Sequence, residues 1–391
     1  MGKILVPVRM HKKGVSSWQM LHRDLSSLAE ASMGKVGRLI AHKPTKGDSE
    51  MTRTSYYAGL DVHKETISFC VKTESGKLVK RGKMPARREA VKEFAETMPR
   101  PLAVAMEATM FSAWIADYLV DKVESVEIGH PLKLRAIATA KKKSDAIDAE
   151  TLVDLRRCGF FPSCFMLPRE LRDLRTVLRF RNLMVGIMVK MKNKTAGLLM
   201  SEGIEYSKRK LHGKRYFARL MEDLDDVPES MVSLLQLSRQ GMEFFDGLQK
   251  RLRDGLVRHP ALAQRVELLK TIPGVGDIMA LTWALEIGDP SRFRTISQAV
   301  SYCGLCSALD SSAGKIKRGP LSKQRNALLQ TTLIEIAKLG PMWNPQLKDT
   351  HDRAVEKGAS HNEAAVEVAR KLVAYLLAVD KSGVPFELKK T

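Results

Sequence analysis

Between Tyr56 and Thr73 the stretch YYAGLDVHKETISFCVKT alternates apolar and polar residues in two arms, with a turn around Asp61 to Lys64. A period of two is the period of an extended strand, so the stretch predicts a β-hairpin. A third strand is predicted over GKLVKRGKM, followed by a helix over RREAVKEFAETM, where Val91, Phe94, Ala95 and Met98 recur at helical spacing. PLAVAMEAT then reads as a short buried strand ending at Glu107, and the next helix carries Phe111, Trp114, Ile115, Tyr118 and Leu119 on one side. A last strand around Val123 to Ile128 leads to a helix containing Asp145 and Asp148.

The order of three strands, helix, strand, helix, strand, helix recurs in the ribonuclease H-like fold, in which the hairpin supplies a first carboxylate and the fourth strand the next. The expected fold class is therefore α/β plus all-α. It comprises a ribonuclease H-like domain over residues 55–163, a helical coiled-coil linker over 164–266 and a helical C-terminal domain over 267–391. Residues 1–54 carry ten Lys or Arg against four acids and little periodicity, which predicts a poorly ordered basic arm with one short helix near Trp18 to Ala31.

Net charge narrows the partners. With 65 basic against 44 acidic residues the chain carries +21 at pH 7, which favours a polyanion such as nucleic acid. No run approaches the roughly 18 uncharged apolar residues of a membrane helix and no apolar signal core opens the chain, so a cytoplasmic protein without a membrane partner is expected. Five scattered cysteines make a disulfide framework an unsuitable reading; Cys303 and Cys306 form a C-x-x-C without a second pair and read as small core residues.

Four acids occupy the chemically privileged places: Asp61 at the end of the first strand, Glu107 at the end of the fourth, and Asp145 with Asp148 three apart on one helix face beside Lys141, Lys142 and Lys143. Like charges at that spacing repel unless a cation sits between them. Phosphoryl transfer uses hard oxygen ligands for Mg2+, and two such ions stabilise the entering and leaving oxygens together. The expected metal ligands are therefore Asp61, Glu107, Asp145 and Asp148, with the lysines near the phosphate.

A second constellation lies in GLCSALDSSAGKIKRGPLSKQRNALLQ. Ser311 and Ser312 precede a glycine and a basic cluster of Lys315, Lys317, Arg318, Lys323 and Arg325, which would expose a hydroxyl on a flexible turn among cations. IPGVG, with Gly274 and Gly276, resembles a helix-hairpin-helix turn whose backbone amides approach a phosphate without reading sequence. On the long helix opened by Pro168, Arg172, Arg175 and Arg179 share a face that could follow nucleic acid or simply meet solvent.

Taken in order, GLDVHKETI, AMEAT, KKKSDAIDAETL, IPGVGDIMALTWALEIGDPSRF, GLCSALDSSAGK, LSKQRN and KSGVPF resemble the DEDD-type insertion-sequence transposases, also described as bridge-RNA-guided serine recombinases. The resemblance spans roughly residues 56–391. It implies a resolvase-like ribonuclease H domain joined by a coiled coil to a C-terminal transposase domain. The metal quartet would be Asp61, Glu107, Asp145 and Asp148, and the nucleophile Ser312, with Ser311 adjacent. It further implies strand exchange through a covalent serine–DNA intermediate, Mg2+ as two ions per composite site, and a structured guide RNA that selects donor and target DNA. Assembly as a dimer or tetramer is also implied, the quartet of one subunit being completed by the serine of another. Rival readings are a junction-resolving or RNA-cutting nuclease that activates water with the same quartet, and a non-enzymatic nucleic-acid organiser.

Overall fold

The computed structural model describes residues 56–137, 144–224, 227–312 and 315–388, with the backbone alone for 308–312 and 315–318. The basic arm with its expected helix, and the lysine triplet at 141–143, lie outside the described residues.

Five strands make one sheet: β1 (Tyr56–Val62), β2 (Thr66–Thr73), β3 (Leu78–Pro85), β4 (Leu102–Glu107) and β5 (Ser125–Gly129). Their order is β3-β2-β1-β4-β5, with β1, β2 and β3 antiparallel to their neighbours and β1, β4 and β5 parallel. Parallel strands need crossovers, and here α1 (Arg88–Thr97) precedes β4 and α2 (Ser112–Leu119) joins β4 to β5. These two helices bury Val91, Phe94, Ala95, Ile115 and Ala116 against Leu60, Phe69 and Met106. On the other face lies α4 (Asp145–Arg157), whose Ala149 and Val153 pack on Cys70. A short helix, α3 (Pro131–Ile137), intervenes before α4. It was not anticipated, because two turns are too few to establish a period.

The edge strand β3 is exposed along its length except at Met84. Met84 and Phe69 join the core on the α1 and α2 side, whereas Cys70, opposite Arg81, packs with α4. Successive side chains alternate faces, so Arg81 and Lys83 stand on the α4 side of the sheet.

The central region is a long helix pair, α5 (Arg169–Ser201) and α7 (Glu229–Arg258), with α6 (Lys214–Glu222) at its far end. Arg181 bonds Gln249, Gly241 lies against Met191, and Leu199 shares a cluster with Leu235, so the two helices run antiparallel. Along α5, Leu178 is fully buried, while Leu171 and Leu174 pack on the C-terminal core.

That core gathers α8 (Pro260–Lys270), α9 (Asp277–Ile287), α10 (Ile296–Tyr302), α11 (Ala327–Leu339), α12 (Pro345–Glu356) and α13 (His361–Ser382). Every residue of α9 from Met279 to Ile287 is buried, and each fully buried Leu or Ile there stabilises the fold by about 1.5–3 kcal/mol. Two carboxylates are held inside it. Glu286 accepts a two-pronged bond from Arg179, both at 2.9 Å, and a third from the Asn326 amide at 2.7 Å. Asp380 accepts from Arg265 at 2.7 and 2.6 Å and from the Trp283 indole at 2.8 Å.

One expectation is corrected here. Ser311 and Ser312, expected on a flexible turn, end a strand within the largely helical C-terminal region, in an antiparallel hairpin of β6 (Ser307–Ser312) and β7 (Lys315–Leu321). The stretch is mostly polar and basic, so it shows no apolar alternation; cross-strand backbone pairing, which sequence periodicity does not reveal, defines these strands.

Candidate metal centre

The site is set by one close backbone approach. Gly59 on β1 faces α4, and a Cβ built there would lie 2.1 Å from the Ala149 carbonyl oxygen and 2.7 Å from the Val153 nitrogen. Only a residue without a side chain lets α4 sit flush on the strand. Two residues further along the same face comes Asp61. The register Leu60↔Met106 puts the next residue of each parallel strand, Asp61 and Glu107, side by side at the C-terminal rim of the sheet.

Over that rim α4 begins. Ser144 caps it, accepting a bond from the Ile147 amide at 3.4 Å, and Asp145 and Asp148 occupy its first turn. The positive end of the helix dipole favours carboxylates there, which explains why a doubled negative charge is tolerated at this point of the chain. Lys72, buried on β2, bonds Glu150 and Asp154 at 2.7 Å each and pins the same helix.

Among the described residues, donor atoms of Asp61, His63 and Asp145 all lie within 4.8 Å of one another. His63 Nε2 is 3.0 Å from Asp61 Oδ2 and 3.6 Å from Asp145 Oδ1, and Lys83 Nζ donates to Asp145 Oδ2 at 2.9 Å. Glu107 and Asp148 stand outside this closest group. Burial pushes the Asp61 carboxyl up from its ordinary range; His63 pulls against the rise, and the charges of Asp148 and Asp145 add to it. Asp145 is half-buried and held below its ordinary range, first by the hydrogen bond from Lys83. This donor set of carboxylate oxygens with one imidazole, and the mutual repulsion felt at Asp61, fit a divalent cation such as Mg2+ or Mn2+.

His63 and Lys83 were not among the expected site residues. The first was visible as D-x-H across the strand end. The second arrives only through long-range pairing, Ser68↔Lys83, which no local signal marks.

The remaining candidates lie elsewhere. Ser311 and Ser312 end β6, opposite Ile316 and Lys315, and Lys317 and Arg318 continue along β7. Lys323 and Arg325 follow in an exposed loop, where Arg325 bonds the Ser322 carbonyl. Gly274, at φ +94°, makes the turn between α8 and α9, and a Cβ built on it would lie 3.3 Å from the Gly340 Cα; Gly276 caps α9 with its Cβ position open. Arg172 bonds Asp117 and the Leu167 carbonyl, Arg179 bonds buried Glu286, and Arg175 is half-buried between them. Two of the three arginines of that face are thus already engaged by internal carboxylates. Cys303 is fully buried, and burial pushes its thiol up to about 12, so the C-x-x-C is a packing element.

Comparison with known families places the chain. A model described as Transposase, for the DEDD group of IS110 elements, matches residues 58–202, and a model described as Transposase IS116/IS110/IS902 family matches residues 266–352. Together they span more than half of the sequence and bracket both the acid cluster and the hairpin. The chain belongs to the IS110 family of transposases. A probable family 20 transposase of Pseudomonas aeruginosa is 27% identical over 265 residues, 64% of this chain and 75% of that one. The transposase for insertion sequence element IS1328 of Yersinia enterocolitica is 25% identical over 284 residues, 72% of this chain and 82% of its own. The pilin gene-inverting protein of Moraxella bovis is 28% identical over 134 residues, 33% of this chain and 40% of that protein. Among the described residues of this IS110-family protein, no helix is long and apolar enough to cross a membrane.

Proposed function

We propose that this IS110-family protein exchanges DNA strands at the ends of an insertion sequence through a covalent serine–DNA intermediate, guided by a structured RNA. The observation that carries the reading is the meeting of Asp61 and Asp145, 84 positions apart in sequence, at a strand rim where Glu107 also ends. The strand order, antiparallel at β3-β2-β1 and parallel beyond, supports a ribonuclease H-like assignment for the sheet domain.

Asp61, Glu107, Asp145 and Asp148 would hold Mg2+, which supplies positive charge to the entering and leaving oxygens of a phosphodiester. The chain's own groups do the rest. Ser312 Oγ, with Ser311 as the neighbouring alternative, loses its proton and attacks phosphorus; a P–Oγ bond forms, a P–O bond to one sugar breaks, and that sugar oxygen leaves as a protonated hydroxyl. Attack by the hydroxyl of a different strand reverses these bonds and frees the serine, so the exchange needs no external energy source. Lys315, Lys317, Arg318, Lys323 and Arg325 would gather phosphates around the hairpin, with Gly274 and Gly276 as a further backbone contact. A charge of +21 suits DNA and RNA together, and a dimer or tetramer would let the hairpin of one subunit serve the carboxylates of another. The relative named for gene inversion favours exchange over simple cleavage, because inversion requires rejoining.

The test is a gel assay for protein linked to DNA. Ser312→Ala is expected to lose the adduct while retaining Mn2+ uptake, and Asp145→Asn to lose both. An adduct-free wild type that cuts DNA with water would establish the nuclease reading instead.

A further inference from the structure

We infer that Lys83 is an exchangeable counter-ion of the metal centre, yielding the Asp145 carboxylate to the divalent cation and then holding the phosphate of the bound nucleic acid. The inference rests on the metal reading above and adds a positioning residue to it.

The geometry carries it in three steps. Lys83 Nζ lies 2.9 Å from Asp145 Oδ2, while His63 Nε2 lies 3.6 Å from Asp145 Oδ1, so each carboxylate oxygen faces a side-chain nitrogen. A cation that uses Asp145 as a ligand must compete with that ammonium for the same oxygen. The ion pair is open to water, with side-chain exposures of 55% and 42%, and such pairs are weak, roughly 0.2–1 kcal/mol. It can therefore break at small cost, unlike the buried Lys72 pair that clamps the body of α4.

Where the released ammonium goes follows from the sheet. Lys83 sits on edge strand β3, whose outer side pairs with no other strand among the described residues, and Arg81 precedes it on the same face. Arg81 is exposed and makes no ion pair among the described residues. Arg81 and Lys83, about 6.6 Å apart at strand rise, make a short basic row that ends at the carboxylates. A nucleic-acid strand following that row delivers a phosphate to the rim carrying Asp61 and Glu107, and Lys83 is the last cation before it.

The experiment uses the full chain and two titrations. Mn2+ binding is measured without nucleic acid by the EPR signal of the free ion, and binding of a short labelled DNA is measured against salt in Ca2+ and in EDTA. Lys83→Gln is expected to bind Mn2+ about two- to five-fold more tightly, since its competitor is gone. In Ca2+ it is expected to lower the slope of log affinity against log salt by about one phosphate contact, and in EDTA to leave the slope unchanged. Lys83→Arg restores the slope in Ca2+, which a loss of folding would not allow. If Lys83→Gln leaves the Mn2+ affinity unchanged or weakens it, or keeps the full slope in Ca2+, while wild type binds Mn2+ and Asp145→Asn does not, this inference fails alone. A wild-type chain that takes up no Mn2+ overturns the metal reading and the inference with it.

Discussion

Gly59 decides the geometry of the centre without touching any substrate. Its missing side chain brings the Ala149 carbonyl to within 2.1 Å of where a Cβ would be, so Gly59→Ala must lift α4 off β1 and carry Asp145 away from Asp61. The expected cost is about 1–3 kcal/mol of stability from overpacking, with a larger proportional loss of Mn2+ affinity; urea denaturation and a Mn2+ titration on the same preparation check both. A variant that keeps full metal affinity would show that the centre does not depend on this contact. At this scale the sequence was legible where chemistry and spacing coincide: Asp61, Asp145 and Asp148 stand at a strand end and in a first helical turn as expected. It was silent on Gly59, an ordinary glycine in a strand until α4 is seen on top of it, and on Lys83, whose partner is 62 positions away.

The elements differ in how they are held. α5 is keyed into the C-terminal core by Arg179 on Glu286, a carboxylate only 1% exposed. Arg179→Ala leaves that buried charge with the Asn326 amide as its side-chain partner, and because the guanidinium itself is partly exposed the expected cost is about 2 kcal/mol. Denaturant unfolding measures it, and Glu286→Gln in the same background should recover part of the loss. α13 is held at its start by a reciprocal cap, Ser360 with Glu363. Ser360→Ala should cost about 1 kcal/mol. The capping bonds from Ser360 hold the Glu363 carboxyl below its ordinary value of 4.5, so its contribution is present above that pH and is lost as pH falls through the lower folded value. The stability advantage of wild type over Glu363→Ala should therefore be full at pH 6 and fade toward pH 3. Both α13 and its capping box are local signals in the sequence, where Ser360 and Glu363 at S-x-x-E spacing precede Val366, Ala369, Val373 and Leu376 at helical period. The β6 and β7 hairpin was not, since backbone pairing between two segments defines its strands and leaves no local signal.

Among the described residues, apolar burial divides chiefly among a sheet core, a small core at the far end of the helix pair and a large C-terminal core, with a minor cluster of Cys70, Ala149 and Val153 under α4. Trp114 packs on the sheet core and Trp283 is buried in the C-terminal core, so variants retaining one tryptophan each report on different cores. Thermal unfolding is expected to show distinct midpoints for the two reporters, departing from a single cooperative transition; coincident curves would mean that the cores melt as one. The passage from a mixed α/β region to a helical one was legible because the period changes from two to 3.6 along the chain, whereas the joints were not, being made by single long-range pairs. One such joint reaches furthest. α5 spans 33 residues, about 50 Å, and within its first turns Arg172 grips Asp117 of the sheet domain while Arg179 grips Glu286 of the C-terminal core. Any displacement of its distant tip is therefore felt by both bodies, each through one guanidinium near the opposite end.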